Sequence, residues 1–379
     1  MLIGVPKEVK THEFRVGLTA MSVKEVVRSG HTVLVQAGAG DGIGQDDAVY
    51  RRAGATVVDG AEEVYGQADL IVKVKELQPG EYALLRAGQV LMTYLHLAPD
   101  RQQATALLAS GCVAIAYETV TDVHGGLPLL TPMSEVAGRL SVQVGAFYLQ
   151  HLQGGAGILL GGVPGVQAAD VVVLGGGVVG TNAACVAVGL GARVTVLDRS
   201  VRRLQELDER FGSKLSTVYA TSPAIEAHVT AADLVIGAVL LPGAWAPKLV
   251  RGDVVHRMRQ GAVIVDVAID QGGCLETSHP TTHADPTYVV DGVVHYCVTN
   301  MPSAVARTAS HALNNVTLPH VLALADRGYR RALQDNPHLR AGLNVHDGCI
   351  THPAVAESLG LPYVPPDRAL GMATRHDHA

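Results

Sequence analysis

Cysteine is scarce in this chain and never closely paired. Cys112, Cys185, Cys274, Cys297 and Cys349 stand far apart, with no C-x-x-C among them. That spacing excludes a disulfide framework and a cysteine-based zinc site, and it points to buried thiols in a reducing compartment. Charge is sparse too. Asp, Glu, Lys and Arg make up 17% of the residues against 48% hydrophobic, and 29 basic residues face 35 acidic ones, for a formal net charge of −6. A chain of this balance has no basic footprint for nucleic acid and ample apolar material for a sizeable core. No secretory leader is expected, because Lys7, Glu8 and Lys10 interrupt the N-terminus before any apolar run of useful length. The stretch Val171–Ala192 carries no charge and is long enough to pass for a membrane span. Its glycines argue instead for a strand, a turn and a helix, so a cytoplasmic protein is the expectation, and 379 residues suggest two domains.

What is abundant is glycine, and one stretch uses it in order. Asp170–Asp198 reads DVVVLGGGVVGTNAACVAVGLGARVTVLD. An apolar, strand-like run ends at Leu174. Gly175, Gly177 and Gly180 follow with the spacing G-x-G-x-x-G, then a small-residue helical segment, then a β-branched run ending in Asp198. This is the pattern of a dinucleotide-binding βαβ unit. Gly175 serves the tight turn, Gly177 the close approach of backbone to a pyrophosphate, and Gly180 the packing of helix on strand. The helix N-terminus offers unpaired N–H groups to the phosphates. Asp198, 21 residues after Gly177, can accept hydrogen bonds from the adenosine ribose. A carboxylate there repels a 2′-phosphate and favours NAD, whereas Arg199, Arg202 and Arg203 keep NADP open.

The first third of the chain alternates strand-like runs (2–5, 32–36, 70–74, 90–94, 113–117) with helical segments such as 20–28, capped by Thr19. Such alternation predicts a parallel, doubly wound sheet, with ligands beyond the carboxyl ends of its strands. Arg15, Lys73, Lys75, His96 and Glu118 all fall at or after strand ends, which makes them candidate site residues. Each also has a plainer reading: a surface charge, a loop ion pair, a core histidine, a helix cap. Thr131-Pro132 marks a helix start, with a long helix over 133–153. A second α/β unit follows, with six strand-like runs near 171–174, 193–197, 217–220, 234–239, 262–267 and 294–298. Asp270 lies just beyond the fifth and is expected to face the nicotinamide, unless it only forms a turn; Asp266 reads as a buried, hydrogen-bonded acid. A second long helix from Pro302 to Asp326 carries the chain back. The expected organisation is therefore α/β: two doubly wound Rossmann-like domains joined by long helices. One is discontinuous (1–130 with 304–379) and holds substrate; the other (131–303) binds the dinucleotide. The tail from Pro366 is expected to lack fixed structure, with His376 and His378 as tail residues. His279 and His283 read as loop residues rather than metal ligands.

Together these stretches resemble the alanine dehydrogenase family. GVPKEVKTHEFRVGLT and GGVPGVQAADVVVLGGGVVGTNAA are similar to its two signatures, and IDQGGCLETSHPTTH and YCVTNMPSAVARTAS also look like family segments. The resemblance implies reversible oxidation of L-alanine by NAD and water to pyruvate, ammonia and NADH. It implies Arg15 and Lys75 as the carboxylate clamp, and His96 and Asp270 as the acid–base pair. It implies Ser134, Val178, Val179, Asp198, Arg203, Leu240, Val267, Ala268, Asn300 and Met301 near the cofactor, beside the three glycines. A homohexamer is implied as well. Thr11-His12, Ala20 and Ala220 depart from the usual pattern at positions bearing on cofactor affinity. Ala323 and Arg327 stand where some members carry Glu and His, so no metal is expected. The nearest alternative is the NAD-binding component of a proton-translocating transhydrogenase. A related amino-acid or 2-hydroxyacid dehydrogenase and a silent NAD-binding module are further ones.

Overall fold

The computed structural model describes residues 1–239 and 246–372. The chain folds as two compact units, Met1–Pro132 joined by the chain from Ser303 onward, and Met133–Pro302.

The first unit opens with β1 (Leu2–Val5), β2 (Thr32–Gln36), β3 (Thr56–Val58), β4 (Leu70–Val72), β5 (Val90–Thr93) and β6 (Val113–Ala116), all in parallel register. The central strands β4, β5 and β6 are buried at every residue, as strands covered by helices on both faces must be. The helix Ala20–Arg28 starts where Thr19 accepts a hydrogen bond from Ser22 N. A helix over Thr131–Tyr148 leads into the second unit, shorter than the 133–153 reading because a separate turn forms at His151–Gln153.

The second unit contains β7 (Asp170–Leu174), β8 (Arg193–Asp198), β9 (Leu215–Tyr219), β10 (Leu234–Gly237), β11 (Val263–Asp266), β12 (Thr287–Val290) and β13 (Val293–Tyr296). Among the described residues its strand order is β12-β13-β11-β10-β7-β8-β9, parallel except for the antiparallel edge strand β12. The chain then returns along the Ala306–Asp335 helix, kinked at Gly328, to add β14 (Leu343–His346) and β15 (Cys349–Ile350) to the first sheet, whose order becomes β15-β14-β6-β5-β4-β1-β2-β3. Both units are thus Rossmann-like.

Further details differ from the sequence reading. The runs ending at Val74, Tyr94 and Tyr117 leave the sheet one or two residues early, and those last residues lead into the turns described below. The tail is folded as far as a short helix, Pro366–Ala369, tied down by an Arg340–Asp367 ion pair (2.7 Å); His376 and His378 lie outside the described residues. All five cysteines are free thiols. No helix among the described residues is long and apolar enough to cross a membrane.

Candidate active site

In the second unit the glycine turn does what its spacing requires. Gly175 follows β7 at φ +99°, a conformation that side chains strongly disfavour. A Cβ on Gly180 would sit 1.8 Å from the Gly175 carbonyl oxygen, so only glycine lets the helix Val178–Gly189 pack against the turn. A Cβ on Gly177 would meet nothing within 4 Å, which leaves this face of the loop open to a ligand. Val178, in the first turn, is 40% exposed beside it, and Val179 is buried.

Asp198 is fixed by two backbone donors. Gly176 N donates to Oδ2 (2.7 Å) and Ser200 N to Oδ1 (2.7 Å). A carboxylate offers about four acceptor sites, so both oxygens keep capacity for a pair of ribose hydroxyls. The loop and its acid therefore fit the adenosine half of a dinucleotide. Arg203 is committed to the loop itself: Nε donates to Gly176 O, Nη2 to Thr181 Oγ1 (2.5 Å), and Nη1 pairs with Glu206 (2.6 Å). Arg202 also pairs with Glu206.

At the end of β11 Asp266 is fully buried. It accepts from Ala268 N (3.1 Å), Cys274 N (2.9 Å) and Ser278 Oγ (2.7 Å). Burial pushes its carboxyl up, and those hydrogen bonds oppose the push. It thereby holds the tight turn Val267–Gln271, in which Ala268 is buried and Asp270 exposed. Asn300 adopts φ +60°, and its carbonyl accepts from His283 Nε2 (3.3 Å); Met301 is buried. Ser134 is half-buried in the first turn of its helix. Leu240 lies outside the described residues.

The first unit gathers the charged residues. Arg15 is buried and forked onto Glu13, Nε to Oε1 at 2.7 Å and Nη2 to Oε2 at 2.5 Å. Lys75 follows β4 on a turn that Glu8 Oε1 holds by accepting from Val74 N (2.7 Å) and Lys75 N (3.4 Å), while Thr93 Oγ1 donates to Lys75 O (2.9 Å). Lys75 and Lys10 both pair with Glu76. Burial alone would raise Glu76, but the two lysines outweigh it and hold the carboxyl at about 2.

His96 follows β5 at φ +48°, unusual for a residue with a side chain. Its turn is clamped by Glu118, whose carboxylate accepts from Leu95 N (3.1 Å) and His96 N (2.6 Å), while Gln103 Nε2 donates to Leu95 O (2.9 Å). The imidazole stacks on Tyr94 with centroids 5.9 Å apart and planes 14° apart. Surrounding protein first, then the cations Lys75, Lys10 and Arg15, push its pKa down to about 3, with Glu76 opposing. Solvent reaches His96, which moderates that push; three cations against one carboxylate still fix the direction, towards neutral imidazole.

Two of the sequence candidates play other parts. Lys73 carries no exposed surface; it is locked between Glu8 (3.2 Å) and Glu81 (2.8 Å) and is a structural cation. Glu118 caps no helix and instead holds the His96 backbone. Glu8, Glu13, Glu76 and Gln103 escaped a reading by strand ends because none of them follows a strand end directly; Glu8 and Glu76 make contacts 66 residues away in the chain. Among the described residues no group of three or more His, Cys, Asp or Glu side chains is placed to hold a metal ion.

Comparison with known proteins finds relatives over nearly the full length of the chain. Residues 4–137 match the family model described as alanine dehydrogenase/PNT, N-terminal domain, and residues 141–353 match its C-terminal domain. An alanine dehydrogenase of Halomonas elongata is 59% identical over 364 residues, 96% of this chain and 98% of the relative. One from Mycobacterium tuberculosis is 52% identical over 370 residues, 98% of this chain and 100% of the relative. A solved structure described as L-alanine dehydrogenase superposes with a TM-score of 0.92 at 54% identity, covering 95% of this chain and 99% of that one. A transhydrogenase from Sinorhizobium meliloti shares the fold, with a TM-score of 0.81 at 24% identity over 92% of this chain and 100% of its own.

Proposed function

The chain belongs to the alanine dehydrogenase/PNT family, and from that premise we propose that it catalyses the reversible, NAD-dependent oxidative deamination of L-alanine to pyruvate and ammonia. The observation that carries the chemistry is His96, held neutral beside Lys75, Lys10 and Arg15 on a turn that two side chains clamp. A neutral imidazole among cations is free to accept a proton, and a substrate carboxylate bound beside those cations offsets their charge and raises its basicity.

In this reading Arg15 and Lys75 attract the alanine carboxylate with their positive charge, Arg15 oriented by its fork onto Glu13 and Lys75 as a point charge. They fix the Cα–H in a reactive pose. NAD, when bound, supplies the hydride acceptor. It would be held by Gly175, Gly177 and Gly180, by Asp198 at the ribose, and by Ser134, Val178, Val179, Val267, Ala268, Asn300 and Met301, with Arg203 bracing the loop. Loss of hydride from Cα of the uncharged amine leaves an iminium. His96 then takes a proton from water as its oxygen bonds to that carbon, returns that proton to nitrogen, and accepts the hydroxyl proton as the C–N bond breaks, leaving pyruvate and ammonia. Asp270 balances the cationic charge or orients the water. We further propose a cytoplasmic homohexamer; Phe147 and Leu152, exposed along and just after the Thr131–Tyr148 helix, supply apolar surface for an interface.

The test in the reverse direction is NADH consumption with pyruvate. It should require ammonium; consumption without ammonium would indicate a 2-hydroxyacid dehydrogenase instead.

The cofactor preference is separately testable. Asp198→Ala removes an acceptor for the ribose and the charge that repels a 2′-phosphate. Hydrogen bonds to a charged group contribute about 1.5–3 kcal/mol, so kcat/KM with NAD should fall roughly 10- to 100-fold while that with NADP rises. An unchanged NAD:NADP ratio would remove Asp198 from cofactor selection.

A further inference from the structure

The segment that carries Arg15 belongs to no strand. Between His12 and Thr19 its backbone groups nonetheless find partners, and most come from side chains of one distant element. Ser303 Oγ donates to His12 O and accepts from Phe14 N (3.2 Å). Ser310 Oγ accepts from Val16 N (3.2 Å). Asn314 works with both ends of its amide: Oδ1 accepts from Thr19 N (2.8 Å) and Nδ2 donates to Gly17 O (3.0 Å). The three side chains are buried, at 1%, 0% and 2% exposure. Their spacing of seven and four residues puts them on one face of the returning helix and the turn that leads into it. They form a ladder that replaces a neighbouring strand. Ser303 brackets Glu13, which forks Arg15, and Ser310 fixes the residue after Arg15.

We propose that Ser303, Ser310 and Asn314 are positioning residues for the substrate carboxylate, acting through Arg15. This rests on the reading above that Arg15 binds that carboxylate. The ladder sets where the guanidinium stands, and a carboxylate contact is the same before and during hydride transfer. Its loss therefore raises KM for the carboxylate substrates and leaves kcat nearly unchanged.

The experiment uses full-length Ser310→Ala, Asn314→Leu and, as reference, Arg15→Lys. Steady-state constants are measured for L-alanine, pyruvate, ammonium and NAD, with NADH affinity by fluorescence titration and melting curves. Ser310→Ala deletes one oxygen and places a good helix former in a helix, so it should fold even if Asn314→Leu does not. The expected result is a rise of about tenfold in KM for alanine and pyruvate in both ladder variants, with kcat, ammonium KM and NADH affinity within about twofold of the parent. A purely structural role would lower the melting point without that split. If Arg15→Lys raises the alanine KM and neither ladder variant does, the inference is overturned while the function stands. If Arg15→Lys leaves the alanine KM unchanged, the clamp reading fails and takes the inference with it.

Discussion

Replacing His96 with alanine is expected to lower kcat for L-alanine oxidation by about 10²- to 10⁴-fold, the usual contribution of a positioned acid–base group, while NADH affinity survives. The argument is geometric before it is electrostatic. A left-handed backbone at a non-glycine residue costs on the order of 1–3 kcal/mol, and here Glu118 and Gln103 spend their hydrogen bonds on holding that turn. The side chain so presented sits among Lys75, Lys10 and Arg15, which keep it neutral. The same displacement predicts a pH effect on folding. An imidazole held below its ordinary 6.5 in the folded protein binds fewer protons there than in the unfolded chain as pH falls below that value. Stability should therefore be fully present above pH 6.5 and decline as pH falls below it. His96→Gln should flatten that decline in denaturant titrations across the window; an unaltered slope would mean the imidazole is not displaced.

Lys73→Met is expected to be the most destabilising single change in the first unit. Lys73 has no exposed surface and neutralises two buried carboxylates, Glu8 and Glu81. Burial alone would lower its pKa, but the two glutamates hold it raised, so it stays charged. Removing one partner of a buried ionic group leaves uncompensated charge and costs about 3–5 kcal/mol. The loss should be smaller in acid. Glu8 is already raised by burial, and without the lysine it rises further. The native state then binds more protons than the unfolded chain, so stability of the variant falls as pH climbs through the carboxylate range. Denaturant midpoints of parent and variant at pH 5 and pH 8 check this; equal losses at both would contradict it. Because Glu8 also holds the Val74–Lys75 turn, the alanine KM should rise in whatever variant protein folds.

The frame was legible where local chemistry decides it. Leu2–Val5, Thr32–Gln36 and the Thr19-capped helix Ala20–Arg28 form where apolar period and cap residue place them. The glycine turn and Asp198 were readable because each residue meets a constraint that few others satisfy. Other strands were hidden by their composition. β14 buries Asn344 and His346, so its polar residues break the apolar pattern; Asn344 is paid for by Thr119 (2.7 Å) and the Gly342 carbonyl (2.9 Å). β12 is an edge strand with Val289 exposed, and β3 has only three residues. In the site, a lysine after a strand does not announce whether it faces ligand or core. Lys73 and Lys75 are two residues apart, yet Glu8 and Glu81 close around the first while the second is half-buried and pairs with Glu76. The Ser303–Ser310–Asn314 ladder was illegible for the same reason: its partners lie about 290 residues away in the chain.

The most direct test of the central claim is NADH absorbance on mixing the purified protein with NAD and L-alanine at mildly alkaline pH, with parallel wells of L-lactate, L-serine, glycine and NADP. The account predicts alanine-dependent NADH formation, weak with NADP and absent with lactate. Protein that binds NADH yet produces none from alanine would contradict it and favour a dinucleotide-binding module without this chemistry.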